Sequence, residues 1–189
     1  MRNIRATENF HGFPMMMACV DVAYCRDAAF VAVVVFRDWQ DAVAVEEKVL
    51  PPVAVRPYEA GKFFLRELPC LLAILHALRP VEAVVIDGYV WLDASGTPGL
   101  GAHLYRALDE KIVVIGVAKT RFRAADWACE VLRASSRVPL YVTAAGMPPR
   151  TAAEHIRSMH GSHRIPTLFR RVDQLCREAA RQKCGREGI

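Results

Sequence analysis

The sequence has no apolar run long enough to cross a membrane: Met15 to Val20 is apolar but ends directly on Asp21. That run also lacks the small-residue cleavage site of a secretory leader. The six cysteines (Cys19, Cys25, Cys70, Cys129, Cys176, Cys184) contain no C-x-x-C pair, and several lie in apolar runs where a thiol packs as a small hydrophobe. Six reduced thiols and a cytoplasmic protein, without membrane association, are therefore expected. No internal repeat or low-complexity segment is present.

What is present is enough for one well-filled core and short for two: 189 residues with 53% hydrophobic content. A single domain over 1–189 is expected, with 1–14 as a lead-in, and a monomer. Lys and Arg number 25 against 20 Asp and Glu, a net charge of +5. The excess clusters at Lys119, Arg121 and Arg123 and again at Arg170, Arg171, Arg177, Arg181, Lys183 and Arg186. Such clusters suit a polyanionic partner, and equally a solvated helix face.

The chain is organised around Val81 to Gly88 (VEAVVIDG), a short β-branched run bounded by Pro80 that reads as a strand buried on both faces. Asp87 stands at its carboxyl end, the edge where open α/β sheets bind ligands. Before it, strands are expected at Met16–Tyr24, Phe30–Arg37 and Ala42–Leu50, close enough for an antiparallel meander. Val53 to Ala60 reads as an exposed connection, followed by a helix with Pro69 in its first turn and Leu71, Ile74, Leu75 and Leu78 on one face.

After the central strand, Thr97 and Pro98 are expected to open a second helix, and Ile112 to Val117 forms another buried strand. Trp127–Arg133 and Val138–Thr143 read as a hairpin. Thr151 with Glu154 suggests a capping box, and Thr167 opens the last helix. This order predicts an α/β fold: a ribonuclease H-like mixed sheet, with a three-strand antiparallel meander followed by parallel strands, flanked by helices.

In that architecture Asp21, in the first strand, and Asp87 share a cleft that Glu67 can reach from its helix. Three converging carboxylates repel one another unless a cation neutralises them, and hard oxygen donors suit Mg²⁺ or Mn²⁺. Three separate surface acids would be the plainer reading of the spacing alone.

The segments Val20–Tyr24, Pro57–Gly61, Phe64–Pro69, Ile86–Gly88, Gly99–Leu104 and Ile115–Lys119 together, in order and spacing, resemble the endonuclease V family over nearly the whole chain. Arg164-Ile165-Pro166 with Thr167 and Asp173 resembles the family's last segment more loosely. The resemblance implies a metal-dependent endonuclease that cuts DNA on the 3′ side of deoxyinosine, with inosine in RNA as a substrate of some members. It implies that Asp21, Glu67 and Asp87 bind Mg²⁺ (or Mn²⁺), and that Lys119 lies near the scissile phosphate. Tyr58, with Pro57, Glu59 and Ala60, falls on the wedge inserted at the lesion, and Gly61 and Gly88 on backbone-lined parts of the base pocket.

Two departures from the family pattern stand out. Asp93 occupies the position of a histidine, and Met147 replaces a histidine associated with the metal site, where a thioether is a poor Mg²⁺ ligand. They motivate a second reading, a weakly active or inactive nucleic-acid-binding relative. A third is a related nuclease moved to undamaged strands or flaps.

Overall fold

A computed structural model describes residues 16–54, 64–122 and 127–186. Its first elements are the expected meander. Strand β1 (Met17–Cys25) turns through Arg26 and Asp27 into β2 (Ala28–Phe36), with Arg26 at φ 53°, and the two pair antiparallel from Met17↔Phe36 to Cys25↔Ala28. β3 (Glu46–Val49) is shorter than its alternation suggested. The Asp41 carboxylate accepts hydrogen bonds from the backbone N–H groups of Arg37 and Asp38, both at 3.0 Å. This closes a compact turn that leaves Val43 exposed and delays strand pairing. Val53 and Ala54, expected in an open connection, add a two-residue strand β4 on β2.

Helix α1 (Phe64–His76) begins earlier than its proline suggested, so Pro69 lies inside the helix and Glu67 falls in the first turn. Cys70, Leu71, Ile74 and Leu75 form its buried face. The central strand β5 (Ala83–Asp87) is buried up to Ile86 and runs parallel to β1 on one side and to β6 (Val113–Ala118) on the other. Between β5 and β6 lies α2 (Leu100–Ala107). It is capped by Gly99, not Thr97 and Pro98, because Thr97 is held in the preceding loop and Pro98 bridges to Trp91. A Cβ at Gly99 would stand 2.5 Å from the Tyr89 carbonyl oxygen, so only glycine lets the chain pass there.

The expected hairpin is present as β7 (Cys129–Val131) and β8 (Leu140–Ala145), with β8 antiparallel to β6. Helix α3 (Pro149–Ser158) starts at a Pro148 cap without a side-chain bond, so the expected capping box does not form. The long helix α4 (Thr167–Arg186) closes the fold.

The sheet order is β3-β2-β1-β5-β6-β8-β7, with β4 also on β2. Alternation along each strand fills two cores. Ala18, Val20, Val84 and Ile86 face α1 and α2; Met17, Cys19, Val85 and Val117 face α3 and α4. Arg133, only 5% exposed, is satisfied by carbonyls of the α3–α4 connection, among them Met159 and His163. That buried cation fixes where α4 starts.

The structure pairs Cys25 with Cys184 as a disulfide, Cα to Cα 6.5 Å, which corrects the expectation of six free thiols. Sequence spacing could not reveal it: the two residues are 159 apart and meet only because α4 returns across β1. Cys19, Cys70, Cys129 and Cys176 are free. Among the described residues, no helix is long and apolar enough to cross a membrane.

Candidate active site

The parallel register of β1 and β5 sets the site. Val20 pairs with Ile86, so one step further Asp21 stands alongside Asp87. Strand alternation puts both on the face of Cys19 and Val85, toward α4. The first turn of α1 brings Glu67 to the same place. The result is a cleft of about 650 Å³ lined by Asp21 to Tyr24 of β1, Glu67, Asp87, and Asp173, Arg177, Ala180 and Arg181 of α4.

The acids are held out of water. Burial pushes the Asp21 carboxyl up to about 7; the Val22 N–H, bonded to it at 2.8 Å, opposes this, and the Asp87 and Asp173 charges add to it. Glu67 rises to about 8, first through burial and then through the charges of Asp21 and Asp87, with the neighbouring Tyr24 phenol pulling the other way. Arg66 lies 4.6 Å from the centroid of the Tyr24 ring.

Lys119, just beyond β6, places Nζ 2.6 Å from Asp87 Oδ2. Burial alone would lower its ammonium, but the hydrogen bond and charge of Asp87, with Asp21 and Asp173 behind, raise it on balance. Its backbone is fixed from two sides. Arg164 Nη2 donates to the Lys119 carbonyl and, at 2.7 Å, to that of Pro139. The Tyr89 hydroxyl donates to the Thr120 carbonyl and accepts from the Phe122 N–H, both at 3.0 Å, tying the loop after β5 to the loop after β6.

Gly88 leaves β5 at φ 130°, a conformation that disfavours other residues. The turn lies against Gly116, where a Cβ would come within 2.6 Å of the Gly88 carbonyl oxygen, and Val90 N–H donates to the buried Thr143 hydroxyl at 2.8 Å.

Of the residues singled out in the sequence, Asp21, Glu67 and Asp87 line one cleft and Lys119 reaches it through Asp87; Pro57, Tyr58, Glu59, Ala60 and Gly61 lie outside the described residues. Asp93 and Met147 are not among the lining residues. The Asp93 carboxylate accepts from Ser95 Oγ at 2.7 Å and Thr97 N–H at 3.0 Å, and these bonds hold it down to about 2. It builds the loop before α2. Met147 packs against the core between the sheet and α3 and α4. Asp173, not singled out as a site residue from the sequence, joins the cleft from α4 and pairs with Arg177 at 2.8 Å. Its spacing from Arg177, four residues on a helix, was the available signal.

Among the described residues no three acidic, histidine or thiol groups are drawn together in a metal-holding arrangement. The donors nonetheless fit a hard divalent cation: carboxylate oxygens from three elements, two of them raised by desolvation and mutual repulsion that a counter-charge would relieve.

A mixed sheet with one acid in the middle of β1, a second at the carboxyl end of the adjacent parallel β5 and a third on a covering helix defines a ribonuclease H-like protein. A model of the endonuclease V family matches residues 1–165. The endonuclease V of Streptomyces coelicolor is 33% identical over 186 residues, covering 86% of this chain and 78% of that protein. The structure of the Streptomyces avermitilis endonuclease V is 27% identical with a TM-score of 0.70, covering 89% and 82% of the two chains. The Ciona intestinalis endonuclease V in complex with inosine-containing DNA, 18% identical, has the same fold at a TM-score of 0.75, with 89% and 86% covered. The chain belongs to the endonuclease V family.

Proposed function

We propose that the protein is a divalent-metal-dependent endonuclease that hydrolyses a phosphodiester on the 3′ side of deoxyinosine or a related deaminated base in DNA, with inosine-containing RNA as a second candidate substrate. The observation that supports this reading is that Asp21, Glu67 and Asp87 line one cleft, with Lys119 on Asp87. The family supports the nuclease class, and the inosine-containing DNA held by the Ciona relative supports the lesion.

Asp21, Glu67 and Asp87 would hold Mg²⁺ or Mn²⁺, with Asp173 facing them from α4. Such a cation, when bound, lowers the pKa of water and stabilises charge on phosphoryl oxygens. Lys119, fixed through Arg164 and held charged by Asp87, neutralises charge at the reacting phosphate. The open backbone at Gly88 allows close approach of an extruded base. Tyr58 and its neighbours Pro57, Glu59, Ala60 and Gly61 are assigned to strand wedging and base recognition through the family resemblance. The protein acts as a monomer in this reading.

End-labelled DNA and RNA strands with a single inosine, incubated with Mg²⁺, Mn²⁺ or EDTA, test it. Metal-dependent cutting 3′ of inosine that disappears in Asp87→Asn is the expected result. Inosine binding without cutting by folded wild type would instead select the inactive relative.

A further inference from the structure

The cleft poses an electrostatic problem for its proposed substrate. Four carboxylates, those of Asp21, Glu67, Asp87 and Asp173, line it, and a nucleic-acid strand brings further negative charge to the same place. Lys119 is already bonded to Asp87. Its charge alone does not balance the approach of the flanking phosphates.

The opposite wall supplies the missing charge. Arg177 and Arg181 line the cleft from α4, four residues apart and so on one face, separated by about 6 Å along the helix axis. Both are exposed. Arg177 engages Asp173 through Nε, and that bond fixes the plane of a guanidinium whose terminal nitrogens carry further donors. Arg181 has no ion-pair partner among the described residues. Arg171, on the same helix, differs: Glu47 grips it with bonds of 2.9 and 2.8 Å, so its charge is spent on fastening α4 to β3.

The wall is also pinned. Cys184, three residues beyond Arg181, is bridged to Cys25 at the end of β1, the strand that carries Asp21. The arginines therefore face the carboxylates from a helix tied down next to them, and a guanidinium matches phosphate geometry.

Building on the endonuclease reading, we infer that Arg177 and Arg181 form a phosphate-binding ridge that grips the backbone of the nucleic-acid strand beside the scissile bond, independently of its bases. The ridge lies beyond residue 165, where the match to the family model ends.

The test is binding of a fluorescein-labelled single-stranded DNA containing inosine, and of the same strand with adenine instead, in EDTA over a KCl series, with wild-type cleavage in Mg²⁺ measured in parallel. Arg177→Gln and Arg181→Gln each weaken binding of both strands about tenfold at low salt. Each reduces the slope of log K against log salt by about 0.7. The preference for inosine stays unchanged, Arg181→Lys restores most of the affinity, and Arg150→Gln, on the exposed start of α3, has no effect. If wild type binds and cuts while the double glutamine variant keeps its affinity and slope, the ridge is refuted and the endonuclease reading stands. If wild type neither binds nor cuts either strand, both fall together.

Discussion

The two walls of the cleft carry charge in opposite surroundings. On the strand wall, completed by the first turn of α1, Asp21 and Glu67 are withdrawn from water and pushed up to about 7 and about 8, while on the α4 wall Arg177 and Arg181 stand in solvent and Asp173 is paired. The first arrangement is costly for the protein alone, a cost that the proposed cation would offset. The second costs little and suits a partner that comes and goes. The proposed division therefore assigns reaction chemistry to the strand wall and strand gripping to the helix.

The largest effect should come from breaking the strand wall. Asp87→Asn removes a proposed metal donor and the partner of Lys119 together, and cleavage should fall by roughly 10³-fold or more, because metal stabilisation of the transition state is worth several kcal/mol. Single-turnover rates on inosine DNA check this. A loss of tenfold or less would mean that the reaction does not depend on these acids.

Next is the pin on the helical wall. Cys184→Ser opens a cross-link between residues 159 apart, and the chain-entropy account makes this worth about 2–5 kcal/mol. Denaturant unfolding should show that loss, and a reducing agent should destabilise wild type while leaving the variant unchanged. Equal response in both would show that the bridge contributes nothing.

The raised acids make a smaller prediction with a definite sign. Unfolded carboxylates titrate near about 4, whereas folded Asp21 and Glu67 titrate at about 7 and about 8, so between those limits the folded state holds more protons. Their stabilising contribution is complete below the unfolded value and is lost as pH rises through the folded values. Metal-free protein should therefore lose about 5–10 °C in Tm between pH 5 and pH 9. Asp21→Asn should flatten the fall, and Mg²⁺ or Mn²⁺ should reverse it at the alkaline end. A Tm that climbs steadily with pH in EDTA would contradict the desolvated environment of these acids.

The strand wall was legible in the sequence because strands impose a period of two and parallel pairing imposes a register. Once Met17 to Cys25 and Ala83 to Asp87 are neighbours, Asp21 and Asp87 have to meet. Helix starts were less legible: Pro69 suggested a first turn that actually begins at Phe64, and Thr97, a plausible cap, is claimed by the Asp93 loop. The helical wall was hardly legible, since an exposed arginine on an amphipathic helix reads the same whether it faces solvent or a cleft. Arg177 and Arg181 acquire meaning only from where the tertiary fold lays α4, and Cys25 and Cys184 only from its far end reaching β1.

The smallest expected effect is also the sharpest check on this division. Asp93 and Met147 stand at positions where the family resemblance leads one to expect histidines, and as sequence they suggested a weakened metal site. Neither lines the cleft: Asp93 spends its carboxylate on Ser95 and Thr97, and Met147 is packed against the core. An asparagine at 93 keeps an acceptor for the Thr97 N–H, so Asp93→Asn should change cleavage by no more than about threefold and leave the metal concentration dependence where it was. Met147→His should likewise fail to raise metal affinity, because residue 147 packs against the core and is not among the residues lining the cleft. Were Asp93→Asn to shift the Mg²⁺ dependence as Asp21→Asn does, the loop before α2 would belong to the metal site, and the boundary between the acids that react and the acids that build would have to be redrawn.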